Sequence, residues 1–339
     1  MACYLHRVCS PKFSPLPGWH VVGRPVFQRR NFNRFVVRKR SFRQAFWLLQ
    51  FIGWMLISHP AFAQLSKLFA ATPLGSLIIV GGGDTPIKVQ ERFVALAGGA
   101  GKAKIAVFPM ASLRSDEEAS EIVDDFQKLG ADAQVVSLTR SEANSDSTVE
   151  DLEQFSGYWF SGGDQSRLAG LLLGSKALER IERRYLAGAA IGGTSAGASV
   201  MTSLMLTGKT QKPRNAGEEE LLNIARGMQE LAKGFGVFKG AIVDQHFMHR
   251  PRYNRLISAV LDHPQLVGVG IDEETALLVR PDGLWEVLGN NYVKIFDARK
   301  ARIIDDAGPM AKAGDIRMHI LPAGSTFDTK KKKVSFEED

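Results

Sequence analysis

The string Gly193-Thr194-Ser195-Ala196-Gly197 sets a serine hydroxyl among small neighbours, and Gly192, Ala198 and Ser199 extend the run. A nucleophilic serine has to sit on a tight turn with strained backbone, which only small neighbours permit. The same turn raises the hydroxyl above a sheet and aims the following backbone N–H at a developing oxyanion. A G-x-S-x-G string also arises as a plain helix–strand packing contact. Its position here, after the strand-like Ala189-Ala190-Ile191-Gly192 and before a helical pattern, favours chemistry.

A serine needs a base, and the base needs an orienting acid. Beyond residue 63 the chain offers only His246, His249, His263 and His319. His246 follows the strand-like Ala241-Ile242-Val243 directly, in Asp244-Gln245-His246-Phe247, and is preferred to its neighbour His249. His263 stands at a helix end before Pro264, and His319 lies far along a C-terminal strand. Acids gather in Asp272-Glu273-Glu274, just past another strand, and the residues alone do not choose among the three. The order serine, histidine, acid excludes an ordinary α/β-hydrolase, where the acid precedes the histidine.

The elements that must position these groups alternate in period. Strand patterns fall at residues 77–80, 104–108, 133–138, 157–160, 189–192 and 241–243, with more at 267–271, 276–279, 284–288 and 292–297. Helical patterns cover residues 87–97, 116–129, 167–173 and 178–187. Such alternation predicts an α/β fold, a mostly parallel, doubly wound sheet with helices on both faces and ligands at the carboxyl ends of its strands. Residues 208–234 read as a polar insertion containing a charged helix over 218–231. The lysine-rich end, 329–339, reads as a charged, frayed tail, leaving one catalytic domain over 64–328.

The formal charge of +7 invites a nucleic-acid reading, but its location removes it. Residues 1–63 hold ten Lys or Arg and no acid, so 33 basic face 36 acidic residues in the remainder. Arg38-Lys39-Arg40 and Arg43, an apolar stretch at 45–58, and Ala61-Phe62-Ala63 compose a signal peptide with cleavage after Ala63. That pattern predicts a secreted or periplasmic protein, touching a membrane only through an uncleaved leader; a cytoplasmic location is the alternative. A true start near Val36 or Val37 would give the leader an ordinary length. Both cysteines, Cys3 and Cys9, lie in it, so the domain has no thiolate nucleophile, disulfide or Cys-ligated zinc.

Taken together and in order, Ser161-Gly162-Gly163-Asp164-Gln165, the serine string, Asp244-Gln245-His246-Phe247 and Asp272-Glu273-Glu274-Thr275-Ala276 resemble the serine-peptidase family of the cyanophycinases and the aspartyl dipeptidases (peptidase E). The resemblance runs from about Gly75 to Leu321. It implies a flavodoxin-like fold related to class I glutamine amidotransferases, a homodimer, and no metal or cofactor. Ser195 would be the nucleophile, His246 the general base and Glu273 the orienting acid. The backbone N–H groups of Ala196 and of Gly163, in the Gly162-Gly163 turn, would form the oxyanion hole.

The substrate implied is cyanophycin, a poly-aspartate backbone with arginine on every side chain, cut to β-Asp-Arg dipeptides. A polymer so dense in both charges asks for a pocket of both signs. Arg250, Arg252 and Arg255 after the histidine, with Asp244, Gln245 and Gln165 beside the turns, supply it. The bland alternative for the arginines is a solvated helix start marked by Pro251. Rival functions are an α-aspartyl dipeptidase with the same triad and a non-catalytic binding protein; the arginine series and Gln165 favour the polymer enzyme, and the intact triad opposes the second rival. The leader and the long 208–234 segment depart from the family pattern.

Overall fold

The computed structural model of the chain describes residues 72–112, 115–210, 223–304 and 310–336. The leader, including its apolar stretch and the cleavage position, lies outside the described residues, as do 211–222 and 337–339.

Five short strands form the parallel heart of the domain: β1 (Leu77–Val80), β2 (Lys104–Phe108), β3 (Asp132–Val135), β4 (Gly157–Phe160) and β5 (Ala190–Thr194). They lie in the order β1-β5-β4-β2-β3, every neighbouring pair parallel. β1 shows why: Leu-Ile-Ile-Val is wholly buried, as a strand covered on both faces must be. Its alternate residues part between two cores, because successive side chains leave opposite faces. Leu77 and Ile79 join one cluster with Phe108 and Phe160, while Ile78 and Val80 join another with Phe93, Phe126 and Trp159.

The helices follow the same division. α1 (Ile87–Leu96) and α2 (Ser115–Lys128) cover the Trp159 face. α3 (Asp146–Leu152), α4 (Gln165–Leu172) and α5 (Lys176–Leu186) cover the other, and a single turn, α6 (Ala196–Ser199), follows β5. Three starts are capped by side chains, Ser145 on the Thr148 N–H, Asp164 on those of Ser166 and Arg167, and Ser175 on that of Leu178. Each such cap contributes about 1 kcal/mol.

Beyond β5 the chain becomes largely antiparallel. β6 (Leu204–Thr210) and β7 (Gln229–Lys233) make a hairpin. β8 (Ala241–Asp244) and β9 (Val267–Ile271), joined through α7 (Tyr253–Asp262), are parallel. β10 (Thr275–Val279) and β11 (Leu284–Gly289) extend the large sheet beside β1, while β12 (Tyr292–Asp297) returns to β9. A small hairpin, β13 (Arg302–Ile304) with β14 (Lys312–Gly314), precedes β15 (Arg317–Pro322). β16 (Thr326–Asp328) and β17 (Lys333–Ser335) close the edge. The result is a nine-stranded sheet, β17-β16-β11-β10-β1-β5-β4-β2-β3, and a four-stranded sheet, β15-β12-β9-β8.

Three expectations change. Residues 229–231, the end of the expected charged helix, begin strand β7, because Leu231 stands opposite Leu206 of β6 in the cluster around Phe247. The third strand stops at Val135 rather than 138: it is an edge strand whose partner β2 ends at Phe108. Residues 333–335, in the expected tail, pair with β16, and Val334 packs against the core.

Candidate active site

The turn after β5 carries Ser195 at φ 52°, ψ −107°, a left-handed backbone for a residue with a Cβ. Such a conformation costs about 1–3 kcal/mol and persists only where the surroundings enforce it. Here they do. A Cβ on Gly197 would lie 2.1 Å from the Phe160 carbonyl oxygen, and one on Gly193 2.8 Å from it, so both glycines let the turn press against the end of β4. The Ser195 N–H is held by the Val80 carbonyl at 3.1 Å. The Ala196 N–H, first in α6, belongs to the donors that a helix start leaves without an intrahelical partner.

His246 follows β8 and also has a left-handed backbone, φ 49°. Its Nε2 stands 2.8 Å from Ser195 Oγ, and its Nδ1 stands 2.5 Å from Glu273 Oε1. With the carboxylate on Nδ1, the ring proton belongs there, which leaves the Nε2 lone pair to accept from the serine hydroxyl. Burial lowers the pKa of His246 below its ordinary value, and Arg250 and Arg252 push the same way, outweighing the opposing hydrogen bond to Glu273. The bond from His246 in turn holds Glu273 below the usual carboxylate range. A neutral imidazole between a hydroxyl and a charged acid is set to take a proton from the serine.

The three acids of the cluster have three separate partners. Glu273 faces His246. Asp272 is buried, accepting from the Met248 N–H and from Lys294. Glu274, at φ 54°, accepts from the Asn290 side chain at 2.9 Å. His249, which is exposed, brings Nδ1 to 3.6 Å from the second Glu273 oxygen and reaches the acid rather than the serine.

The Gly81-Gly82-Gly83 turn after β1 organises both loops. The Gly81 carbonyl accepts the His246 N–H at 2.7 Å, and the Gly82 carbonyl accepts the Glu274 N–H at 2.9 Å. A Cβ on Gly83 would come within 3.1 Å of the Glu273 Cβ. A strand running into three glycines was the available signal, and only the tertiary contact gives it meaning.

The expected binding residues divide. Arg250 is exposed beside the triad, and among the described residues its guanidinium has no acceptor. Arg255 and Asp244 are buried against each other, with Arg255 Nε 2.9 Å from Asp244 Oδ2 and a second contact from Nη2 to Oδ1. Arg252 donates to the Gln245 carbonyl at 2.7 Å, and also contacts the Gln245 side chain and Asp244. These four side chains therefore brace the base of the histidine loop. Gln165, also buried, gives its amide to the Leu206 carbonyl at 2.6 Å and ties α4 to the β6–β7 hairpin. Gly162 lies nearest the nucleophile, its would-be Cβ 3.6 Å from the Ser195 Cβ, while Gly163 at φ 131° turns against Ala111. Among the described residues no cluster of His, Cys, Asp and Glu is arranged to hold a metal ion.

The chain resembles characterised proteins over most of its length. It is 33% identical over 276 residues to the cyanophycinase of Nostoc sp., covering 78% of this chain and 90% of that protein. It is 34% identical over 266 residues to the cyanophycinase of Geminocystis herdmanii, covering 75% and 94%. A peptidase from an acI-B1 actinobacterium shares the fold, with a TM-score of 0.55 at 22% identity over 76% of this chain and 98% of that one. Residues 77–287 match peptidase family S51, and that span runs from β1 through the serine turn, the histidine and the acid to β11. The chain is a serine-type peptidase and belongs to peptidase family S51.

Proposed function

We propose that this peptidase hydrolyses the poly-aspartate backbone of cyanophycin and releases β-Asp-Arg dipeptides. The observation that carries the reading is the hydrogen-bonded series Ser195–His246–Glu273, with the exposed guanidinium of Arg250 beside it, in a chain one-third identical to cyanophycinases. In this reading Arg250 receives a carboxylate of the polymer, for which a guanidinium offers paired donors.

In this mechanism His246 Nε2 takes the Ser195 proton as Oγ attacks the backbone carbonyl carbon. The N–H of Ala196, with one from the Gly162-Gly163 turn, receives the negative oxygen. Collapse of the tetrahedral adduct breaks the C–N bond, and His246 returns the proton to the leaving amine. Water, deprotonated by the same imidazole, then cleaves the acyl-enzyme and restores the serine. Glu273 holds the ring in place and offsets its transient positive charge.

The test is incubation of the protein with purified cyanophycin, with products identified by mass spectrometry. Release of β-Asp-Arg, absent in Ser195→Ala, supports the reading. Cleavage of small α-aspartyl dipeptides with the polymer untouched would replace it by the dipeptidase alternative. The leader composition supports export as the route by which the enzyme meets the polymer outside the cell. Recovery of the full-length chain from the cytoplasm alone would sink that part.

A further inference from the structure

Asp272 and Lys294 form an ion pair in the interior, the residues only 5% and 4% exposed. Charges so enclosed are stripped of water, and the desolvation often exceeds what their attraction returns. A buried pair in a chain of this kind is therefore weak evidence of stabilisation and better evidence of a position that has to be held. Its position here is distinctive. Asp272 precedes the acid Glu273 directly, and its Oδ1 accepts from the N–H of Met248, two residues past His246, at 2.5 Å. Its other oxygen receives Lys294 Nζ at 3.2 Å. One carboxylate thus spans the base loop and the acid loop.

Lys294 comes from β12, opposite Gly270 of β9. Gly270 is where the Phe247 ring lies flat on the sheet, a Cβ there being 2.5 Å from the ring. The ammonium also stands 5.0 Å from the centre of the Tyr292 ring, and the Tyr292 carbonyl accepts the Asp272 N–H at 3.2 Å. The other face of the acid turn is fixed by Asn291, whose side chain donates to the Glu273 carbonyl at 2.9 Å. Asp272 without its cation would be a buried charge facing a single N–H, and the hold it gives the loop that carries His246 would be disturbed.

We propose that Lys294, acting through Asp272, is a positioning residue that sets His246 against Glu273 and Ser195. The inference rests on the reading of those three residues as the catalytic set, and the test separates the two. Acylation of Ser195 by a fluorophosphonate probe reports nucleophile activation whatever the natural substrate is. Wild-type protein inert to the probe would sink the triad reading itself.

With reactive wild type, Lys294→Met is expected to slow kinact at least about tenfold with KI unchanged, because misplacing a catalytic group by about 1 Å costs up to about 100-fold. Adding Asp272→Asn removes the orphan charge but keeps an acceptor for the Met248 N–H, so the double variant is expected to recover to within about threefold of wild type. Lys294→Met at wild-type rate overturns the proposal, as does a change in KI alone, which would make Lys294 a binding group. If Lys294→Met does not fold, the double variant decides: recovery supports positioning through Asp272. A folded double variant with a slow rate, or failure of both variants to fold, overturns it.

Discussion

Gly82 lies so close to His246 that a Cβ on it would sit 2.2 Å from the ring Cε1 and 2.5 Å from Nε2, the nitrogen that faces Ser195. No side chain fits there, and the glycine also has φ 111°, a backbone that side chains disfavour. Gly82→Ala is therefore expected to displace the imidazole and lower kcat/KM by about 100-fold. Strain at the backbone should also cost about 1–3 kcal/mol, read as a lower Tm by circular dichroism. Full activity in a folded Gly82→Ala protein would show that the ring has somewhere else to go.

Ser195→Ala removes the attacking oxygen and little else. The N–H of residue 195 still donates to Val80, and alanine is no more hindered than serine at φ 52°. The loss in kcat is expected to exceed about 1,000-fold, in line with other serine nucleophiles. Tm should move by no more than a few degrees, and labelling by a fluorophosphonate should vanish.

The acid limb of the pH profile of kcat/KM should lie below the ordinary histidine value of 6.5, because burial, the largest influence on His246, disfavours the imidazolium. Activity rises as His246 loses its proton with increasing pH. Stability follows the same sign. A group whose pKa is depressed by folding contributes stability that is present above its unfolded value and fades as pH falls through the folded one. Arg250 contributes to the depression, so Arg250→Gln should move the limb upward while raising KM for a carboxylate-bearing substrate. A limb that stays in place as KM rises would confine Arg250 to binding.

Asp244 and Arg255 were expected to touch substrate, yet each is the other's buried partner. Arg255→Met should leave the buried Asp244 with only the longer contact to Arg252, 3.5 Å away, at the base of the histidine loop, a change that costs up to about 3–5 kcal/mol in comparable sites. Chemical denaturation should show that loss, with KM changing less than stability does. A large rise in KM at unchanged stability would return Arg255 to the substrate.

The serine turn and the histidine are legible in the sequence because each follows an apolar run directly, and strand ends are where an α/β sheet presents its ligand-facing groups. The acid is less so. Asp272, Glu273 and Glu274 are chemically alike in a string, and what separates them is contact with Lys294, His246 and Asn290, all at least 16 residues distant or arriving from other loops. The same limit hides the role of Gly82 and the pairing of Asp244 with Arg255. Periodicity reads β1 correctly but mistakes β7 for a helix, since charged residues around Leu231 satisfy either period until β6 is placed beside it.

Ser195 ends a strand of the nine-stranded sheet, whereas His246 ends a strand of the four-stranded one, with Glu273 on the turn between β9 and β10 that joins the two. The nucleophile and its base are thus mounted on separate plates, and the 2.8 Å between them gauges how those plates are aligned. Base and acid loops are both tied to the larger sheet through Gly81 and Gly82 after β1, and the acid also to the start of β12 through Asn291. The turn after β1 is thus the splice that holds the two plates in line, and a change that loosens it should disarm the serine while the strands of both sheets persist.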